Sequence, residues 1–249
     1  MNDFGGGVFL IDKPEGITSF GIVRRIKKLV GIKKVGHAGT LDPFATGLLV
    51  VCAGRPATKM IPLLMDGDKE YLATLRLGIR TTTMDPEGDI IEKKAVGFVS
   101  AAEISQCLTG FAGEILQRPP AYSALKHKGK PLYYYARKGI EIEKEPRRVM
   151  IHSLERLGDP GDLDDASPEL SLRIVCSKGT YIRSLADDIG VHLGCGASLI
   201  GLRRIRSGVF HVDQAIAGER LVLPEEREKH LAAMLLPEDV GKMLQSPCF

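Results

Sequence analysis

The chain has 249 residues, of which 44% are hydrophobic and 26% charged, and its net charge of +3 is too mild to indicate nucleic-acid binding by itself. No apolar run reaches membrane-spanning length, and the N-terminus lacks the basic and apolar regions of a signal peptide. The five cysteines form no C-x-x-C pair and no zinc-like pairing with histidine. We therefore expect a reduced, cytoplasmic, soluble protein.

The first predicted elements are a strand and a helix. Residues 7–12 are an apolar run typical of a short buried strand, and the turn 13–16 follows it. Thr18 or Ser19 can cap the next helix. Apolar residues share one face of that helix, while basic residues fall elsewhere. The apolar face consists of Ile22, Val23, Ile26, Leu29 and Val30.

The next stretch, residues 36–49, has the sequence GHAGTLDPFATGLL, in which three glycines and one proline surround a single carboxylate, Asp42. Glycine and proline at this density indicate backbone conformations that most residues cannot adopt. The apolar run 48–52 predicts a buried strand that fixes the loop. Asp42 is therefore a candidate nucleophile or base. Local composition alone favours a simple turn, because Asp-Pro is a common turn dipeptide.

The middle of the chain has both strand and helix signals. Alternation over 69–78 predicts a strand with Tyr71 on its packed face. A polar turn over 81–89 predicts an antiparallel return at 90–91. The Ser-x-x-Glu sequence at 100–103 is a capping box, so we expect a helix to begin there.

Residues 117–149 are rich in Lys and Arg and include three successive tyrosines. Pro131 suits a first helical turn and Gly139 a C-terminal cap, which predicts a short helix between loops. Basic residues interleaved with aromatic ones fit a segment that lies against RNA. A mobile, partly packed surface insertion has the same composition. The sequence leaves both interpretations open.

Towards the C-terminus, alternation over 170–176 predicts another strand, and a helix follows. Arg183 falls near this strand-to-helix junction, where side chains are commonly aimed at a site. Residues 199–204 begin a further element. The final part, 219–249, has a charged helical pattern and then an end that we expect to be unstructured.

Charge is unevenly distributed along the chain. Acidic residues gather at 159–165 and near the C-terminus, so the basic clusters predict one face suited to phosphates. These clusters lie at 24–28, 33–34, 126–130, 147–148 and 203–206.

Strands joined by loops, with helices between them, predict an α+β fold with a mainly antiparallel sheet. The chain has no G-x-G-x-x-G, P-loop or H-E-x-x-H sequence and no internal repeat. Dinucleotide, nucleoside-triphosphate and zinc chemistry therefore have no support, and we expect a cofactor-free site.

Residues 36–49 closely resemble the catalytic motif of the TruB family of pseudouridine synthases. Further stretches resemble other motifs of this family in the same order along the chain. They are the Lys-Pro motif at 10–19, the conserved-tyrosine strand at 68–71, the RNA-binding thumb of the bacterial tRNA enzymes at 119–126 and 135–139, and the remaining site motifs at 176–183 and 199–203.

The resemblance implies a pseudouridine synthase fold with a mainly antiparallel mixed sheet, flanking helices and loops, and a thumb at about 117–149. It implies base flipping and conversion of uridine 55 in the tRNA T-loop to pseudouridine. Asp42 corresponds to the catalytic aspartate, which attacks either C6 of the base or C1′ of the ribose. Tyr71 corresponds to the residue that stacks on the flipped base, and Arg183 to the arginine that pairs with the aspartate. Matching residues around the target base and the site floor are His37, Tyr181, Leu202, Lys13 and Pro14.

From the same resemblance we expect a catalytic domain over 1–240, a C-terminal end at 241–249, and no PUA-type domain after it. The expected partner is the T-loop of tRNA, bound by a monomer without metal, cofactor or membrane. Two alternatives remain at this point. One is an RNA-guided member of the same superfamily, and the other is a tRNA-binding chaperone without catalysis.

Overall fold

The computed structural model describes residues 4–245. Its strands, numbered in chain order, are β1 (Gly7–Lys13), β2 (Val35–Ala38), β3 (Thr46–Ala53), β4 (Lys69–Leu77), β5 (Ile79–Thr81), β6 (Ile90–Lys93), β7 (Phe98–Val99), β8 (Gly113–Gln117), β9 (Lys126–His127), β10 (Lys130–Pro131), β11 (Arg147–Leu157), β12 (Leu163–Asp164), β13 (Glu169–Cys176), β14 (Ala197–Ser207), β15 (Phe210–His211) and β16 (Ile216–Ala217).

The α-helices are numbered in the same way, and short 3-10 turns follow β15 and β16. The helices are α1 (Ser19–Val30), α2 (Gly54–Lys59), α3 (Ile61–Asp66), α4 (Ala101–Phe111), α5 (Leu132–Ala136), α6 (Ile182–His192), α7 (Arg227–Ala232) and α8 (Pro237–Gln245).

The chain divides into two compact units. The first contains the residues up to Glu70 and those from Arg203 onwards, and the second is Tyr71–Leu202. Strands β4 and β14 each contribute residues to both units. The predicted domain boundary at residue 240 stays a prediction.

In the first unit the sheet is built on β3. Strand β1 runs antiparallel to β3 over its whole length, β2 is also antiparallel to it, and β14 joins it in parallel at Arg203 and Arg204. Because both faces of β3 are covered, its residues from Gly47 to Ala53 are buried. The buried strand predicted at 48–52 is therefore confirmed.

Helix α1 packs its apolar stripe inward, as its periodicity predicts. All five residues of the predicted face are buried. Thr18 is the N-cap, and its hydroxyl accepts a hydrogen bond from the Gly21 amide at 2.9 Å. Ser19, the other candidate cap, is buried and bonds elsewhere.

In the second unit, β11 is antiparallel to β13 on one side and to β8 on the other, and β4 lies beside β13. Strands β5 and β6 form an antiparallel pair around the loop 82–89. The capping box of α4 is present, with Ser100 and Glu103 bonded reciprocally. Both units thus combine mostly antiparallel strands with helices, which confirms the α+β prediction.

The segment 118–146 connects β8 to β11. Its two ends lie side by side, because Gln117 at the end of β8 pairs with Arg147 at the start of β11. Between them lie the β9–β10 hairpin and α5. The short predicted helix is confirmed, with Pro131 as its N-cap instead of inside its first turn.

The unstructured end predicted for the chain is wrong as far as Gln245. Helix α8 occupies Pro237–Gln245, and Val240 is fully buried in the core of the first unit. Met243 and Leu244 pack against the same core, at the i+3 and i+4 positions expected of a helix. Residues 246–249 lie outside the described residues. Within residues 4–245, no helix has both the length and the apolar composition that crossing a membrane requires.

Candidate active site

Asp42 lies between β2 and β3, in the loop that the glycine-rich stretch forms. It is half-buried, and its neighbour Leu41 is buried. The Asp42 main-chain oxygen accepts a hydrogen bond from the Ala45 amide at 3.1 Å, so the predicted turn is present. The turn and the candidate site are therefore the same structure. The surrounding side chains decide how firmly this loop is held.

Lys13 anchors the residue after Asp42. Its side chain is fully buried, and its ammonium donates to the carbonyl oxygens of Pro14 at 2.9 Å, Ile17 at 2.6 Å and Pro43 at 3.0 Å. A buried ammonium is tolerated only where such acceptors surround it. The Lys-Pro turn after β1 therefore forms the support of the Asp42 loop.

Ser19 anchors the residue before Asp42. Its hydroxyl accepts a hydrogen bond from the Leu41 amide at 2.9 Å and donates one to the Leu41 carbonyl at 3.0 Å. Both groups are buried, so breaking either bond would leave an unsatisfied polar group. Asp42 is thus flanked on both sides by residues whose main chain is fixed by buried side chains.

Arg204 holds the two ends of the loop. It is 1% exposed, and its guanidinium donates to the Leu48 carbonyl at 2.8 Å and to the Gly39 carbonyl at 3.2 Å. Gly47 allows the main chain of Arg204 to lie close to β3, because a Cβ at Gly47 would lie 2.2 Å from the Arg204 main-chain oxygen. Gly47 also has a φ of +98°, which a side chain would disfavour.

The prediction that the 203–206 cluster belongs to a phosphate-binding face is wrong for Arg204, which is buried, and stays a prediction for the partly exposed Arg203 and Arg206. Arg204 is buried, Arg203 makes a two-pronged ion pair with Asp12, and Arg206 pairs with Glu70. These three arginines bind groups inside the first unit. A run of basic residues in the sequence does not show which distant residues those side chains bind in the folded protein.

We expect Arg204→Met to lower the free energy of unfolding by about 3 kcal/mol, because the Leu48 and Gly39 carbonyls lose a charged donor whose side chain is buried. Urea denaturation measures this change. The adjacent Arg203→Met is the matched control. It removes an ion pair whose side chains are 38% and 31% exposed, so we expect a loss of at most about 1 kcal/mol. Equal losses in the two variants would contradict the anchoring role of Arg204.

His37 precedes the loop on β2 and is partly buried. Burial lowers the pKa of its imidazole, the Arg204 guanidinium lowers it further, and a hydrogen bond with the Gly39 main chain opposes both. The ring is therefore neutral at neutral pH. Its Nδ1 atom is buried.

In the second unit, Arg183 lies in the first turn of α6 and is 4% exposed. Its guanidinium donates to the carbonyls of Thr83 at 2.9 Å and Tyr122 at 2.8 Å. It also forms an ion pair with Asp85 at 3.2 Å, in which both side chains are buried. Such a fork-shaped donor set fixes the direction of the side chain.

Asp85 is a residue that the sequence reasoning missed. It lies in the loop between β5 and β6, and its carboxylate also accepts hydrogen bonds from the Thr83 hydroxyl and the Glu87 amide. The preceding residue, Met84, has a φ of +61°, which is uncommon for a residue other than glycine. Strained backbone of this kind is often found at functional sites. The sequence signal that could have identified Asp85 is its place in the polar turn 81–89.

The remaining predicted residues divide between the two units. Tyr71 on β4 is 8% exposed, and Tyr181 is the N-cap residue of α6. Leu202 on β14 is half-buried. Tyr71, Tyr181, Leu202 and Arg183 belong to the second unit, whereas the first unit holds His37, Asp42, Lys13 and Pro14.

Tyr134 on α5 is flanked by two lysines. The ammonium groups of Lys130 and Lys138 donate to its hydroxyl at 3.1 and 2.9 Å and lie 4.3 and 4.5 Å from its ring centre. These two cations lower the pKa of the Tyr134 phenol to about 8. All three side chains are accessible from solvent, so the segment 118–146 presents a cationic and aromatic surface.

Because both cations favour the phenolate, Tyr134 should lose its proton near pH 8 instead of near pH 10. Ultraviolet difference titration measures this midpoint, and Lys138→Gln should raise it. Deprotonation reduces the positive charge of the cluster, so binding of a polyanion such as RNA should weaken above pH 8 more in the wild type than in Tyr134→Phe. Identical titration curves for the wild type and Tyr134→Phe would contradict this assignment.

Within residues 4–245, no group of three or more His, Cys, Asp or Glu side chains is arranged to hold a metal ion. The four described cysteines are buried and are not joined in disulfide bonds within residues 4–245, and burial raises the pKa of the Cys52 thiol to about 12.

Comparison with known proteins extends the motif resemblance to most of the chain. Residues 27–182 match the TruB family pseudouridylate synthase (N terminal domain), and residues 183–241 match the tRNA pseudouridylate synthase B C-terminal domain. The chain belongs to the TruB family. It is therefore a pseudouridine synthase, an isomerase, as the motifs predicted.

Relatives of this TruB-family chain cover nearly all of it. The tRNA pseudouridine synthase B of Desulfotalea psychrophila is 60% identical over 243 residues, which is 98% of each protein. That of Tolumonas auensis is 46% identical and is matched over 72% of its own length. These matches confirm the predicted family and activity class. The roles of individual residues stay predictions.

Solved structures confirm the pseudouridine synthase fold. A Cbf5-Nop10-Gar1 complex contains a chain with a TM-score of 0.69 and 32% identity, covering 95% of this chain and 62% of that one. An H/ACA RNP bound to a substrate RNA containing 2′-deoxyuridine gives a TM-score of 0.67 at 30% identity, covering 95% and 61%. The TruB-family chain thus spans about three fifths of the length of these two proteins.

Proposed function

We propose that this TruB-family enzyme converts uridine 55 in the T-loop of tRNA to pseudouridine. The observation that carries the proposal is the Asp42 loop, whose neighbours Leu41 and Pro43 are both held by buried side chains. A nucleophile gains most when its position is fixed before substrate binds. The 60% identical relative, a tRNA pseudouridine synthase B, supports tRNA as the substrate class.

In the proposed reaction, Asp42 forms a covalent bond with the target nucleoside, either at C6 of the uracil or at C1′ of the ribose. The N1–C1′ glycosidic bond breaks, the base turns, and a C5–C1′ bond forms. On the C1′ route, formation of the C5–C1′ bond breaks the bond between Asp42 and C1′, and the C5 proton then leaves. On the C6 route, loss of the C5 proton eliminates Asp42 from C6. On both routes N1 takes up a proton. Atoms and electrons balance within the substrate, so the reaction needs no oxidant or reductant.

Other residues receive roles that suit their chemistry. A base inside a folded loop must be unstacked at a cost of a few kcal/mol and received in a snug pocket. We assign Tyr71 to stack on the flipped base and to assist in removing the C5 proton. Tyr181 and Leu202 form walls of the base pocket, and neutral His37 contacts the RNA where the base leaves its stack.

Arg183 is proposed to keep Asp42 ionised and aimed. A guanidinium near a carboxylate favours its charged form. The buried Asp85, together with the two carbonyls that Arg183 contacts, would hold the guanidinium in a single orientation for this task. Asp85 is therefore assigned as a positioning residue.

The segment 118–146 is proposed as the RNA-binding thumb. Its exposed cations and tyrosines, including the Lys130–Tyr134–Lys138 cluster, suit phosphates and unstacked bases. The enzyme is further proposed to be a cytoplasmic monomer. The RNA-guided alternative is not favoured, because the relatives with 46–60% identity are tRNA enzymes.

Tritium release from unmodified tRNA that carries [5-³H]uridine tests the proposal, with purified chain and no guide RNA. We expect about one tritium released per tRNA, since one C5 proton is lost per event. A tRNA transcript with cytidine at position 55 is the control and should release none. A chaperone would bind and refold the tRNA but release no tritium, and that outcome would contradict the proposal.

A further inference from the structure

Gln117 makes a reciprocal pair of hydrogen bonds with the main chain of Tyr181, 64 residues away. Its carboxamide nitrogen donates to the Tyr181 carbonyl at 3.0 Å, and its carboxamide oxygen accepts from the Tyr181 amide at 2.7 Å. Gln117 is only 2% exposed. Because the Gln117 side chain is buried, losing these bonds would leave the Tyr181 amide without the partner that it has in this structure.

Gln117 lies where the chain leaves the sheet for the segment 118–146, so its two hydrogen bonds connect that point with Tyr181. Gln117 is the last residue of β8, and its strand partner Arg147 is the first residue of β11. The chain leaves for the segment 118–146 directly after Gln117. The proposed thumb therefore begins directly after the residue whose side chain binds the Tyr181 main chain.

Two further bonds join this root to the first turn of α6. The Ser184 hydroxyl donates to the Arg118 carbonyl at 3.2 Å, and Arg183 donates to the Tyr122 carbonyl at 2.8 Å. Four hydrogen bonds thus connect Gln117 and the start of the 118–146 segment with Tyr181, Arg183 and Ser184 at the N-terminal end of α6. The two elements form one bonded unit.

The Tyr181 carbonyl also accepts a hydrogen bond from the Leu185 amide at 3.1 Å, in the first turn of α6, whereas the printed partner of its amide is the Gln117 carboxamide. Tyr181 is the N-cap residue of α6, and its side chain makes no capping bond. Its amide and its carbonyl are both bound by the Gln117 carboxamide, which constrains the dihedral angles on either side of its Cα. Those angles set the direction in which the Tyr181 ring leaves the backbone.

We propose that Gln117 is a positioning residue for pseudouridine formation, which fixes the Tyr181 ring against the target base and links it to the root of the RNA-binding segment. The inference rests on the proposed role of Tyr181 at that base. Misplacement of a pocket wall by about 1 Å can slow a reaction by about 100-fold. The loss should appear in the chemical step and leave tRNA affinity nearly unchanged.

The test compares Gln117→Met, which has a similar shape and no amide, with Gln117→Asn, which keeps the amide but is too short to reach both Tyr181 atoms. Single-turnover rates at saturating enzyme, dissociation constants for tRNA and thermal midpoints are measured for each. We expect the rate to fall by about 30- to 100-fold, with the dissociation constant changed by less than about threefold. Ser171→Ala is the control, since it removes the Thr74–Ser171 contact between other side chains of the second unit. Its rate should match the wild type.

A double-mutant cycle with Tyr181→Ala separates positioning from a general structural effect. If Gln117 acts through the Tyr181 ring, Gln117→Met should slow the Tyr181→Ala enzyme by less than about threefold. Equal slowing in both backgrounds would overturn the inference. So would a folded Gln117→Asn variant with the wild-type rate.

The design also distinguishes failure of this inference from failure of the proposed function. An inactive wild type, or a Tyr181→Ala variant as fast as the wild type, would count against the proposed function itself. Other outcomes would count against the role of Gln117 alone. In these, the wild type is active and Tyr181→Ala is slow, but the Gln117 variants either keep the wild-type rate or slow the wild-type and Tyr181→Ala enzymes equally.

Discussion

Replacing Asp42 with Asn should lower the rate of pseudouridine formation in tRNA by at least about 10⁴-fold, because the amide is no nucleophile. Asn has nearly the same shape as Asp, and the bonds from Lys13, Ser19 and Arg204 to the main chain of the loop are all retained in the variant. We therefore expect Asp42→Asn to fold normally and to bind tRNA with an affinity within about threefold of the wild type.

The matched control for this variant is Asp213→Asn, the same substitution at a carboxylate of the first unit that is 82% exposed. It should retain the wild-type rate. A single-turnover tritium-release assay measures both. If Asp42→Asn retained more than about a tenth of the wild-type rate, Asp42 could not be the nucleophile of this reaction.

The second large effect is expected at the buried Arg183–Asp85 pair. Asp85→Asn removes the buried carboxylate that pairs with the Arg183 guanidinium at 3.2 Å, so the free energy of unfolding should fall by about 3 kcal/mol. The catalytic rate should also fall by about 100-fold, because Arg183 loses its fixed orientation. Urea denaturation and single-turnover kinetics measure these two changes.

Arg76→Met is the control for that comparison. It breaks the Arg76–Glu169 ion pair, whose side chains are 44% and 52% exposed, and such surface pairs contribute at most about 1 kcal/mol. Should Asp85→Asn cost no more stability than Arg76→Met and keep the wild-type rate, the positioning role assigned to Asp85 would be wrong.

Sequence periodicity predicted the elements whose burial pattern is regular. Strand β3 is an unbroken apolar run because both its faces are covered, and α1 has an apolar stripe because one face packs inward. Helix α8 was missed. Its apolar residues are few, and a glycine interrupts them, so only packing against the core of the first unit identifies it as a helix.

The candidate nucleophile could also be found from sequence, since its loop chemistry is local and its motif resembles that of a known family. The residues that hold the site in place could not be predicted from the sequence. Arg204 lies 165 residues from Gly39, and Gln117 lies 64 residues from Tyr181. Charged and amide side chains are usually exposed, so a sequence pattern places them on the surface. Their buried partners become visible only in the folded chain.

The most direct test of the central claim is position-resolved mass mapping of pseudouridine in an unmodified tRNA after incubation with the purified chain. The fold, the anchored Asp42 loop and the family together predict one pseudouridine per tRNA, at position 55 in the T-loop, without guide RNA and absent with Asp42→Asn. Pseudouridine at another position, dependence on a guide RNA, or equal formation by the Asp42→Asn variant would contradict the account.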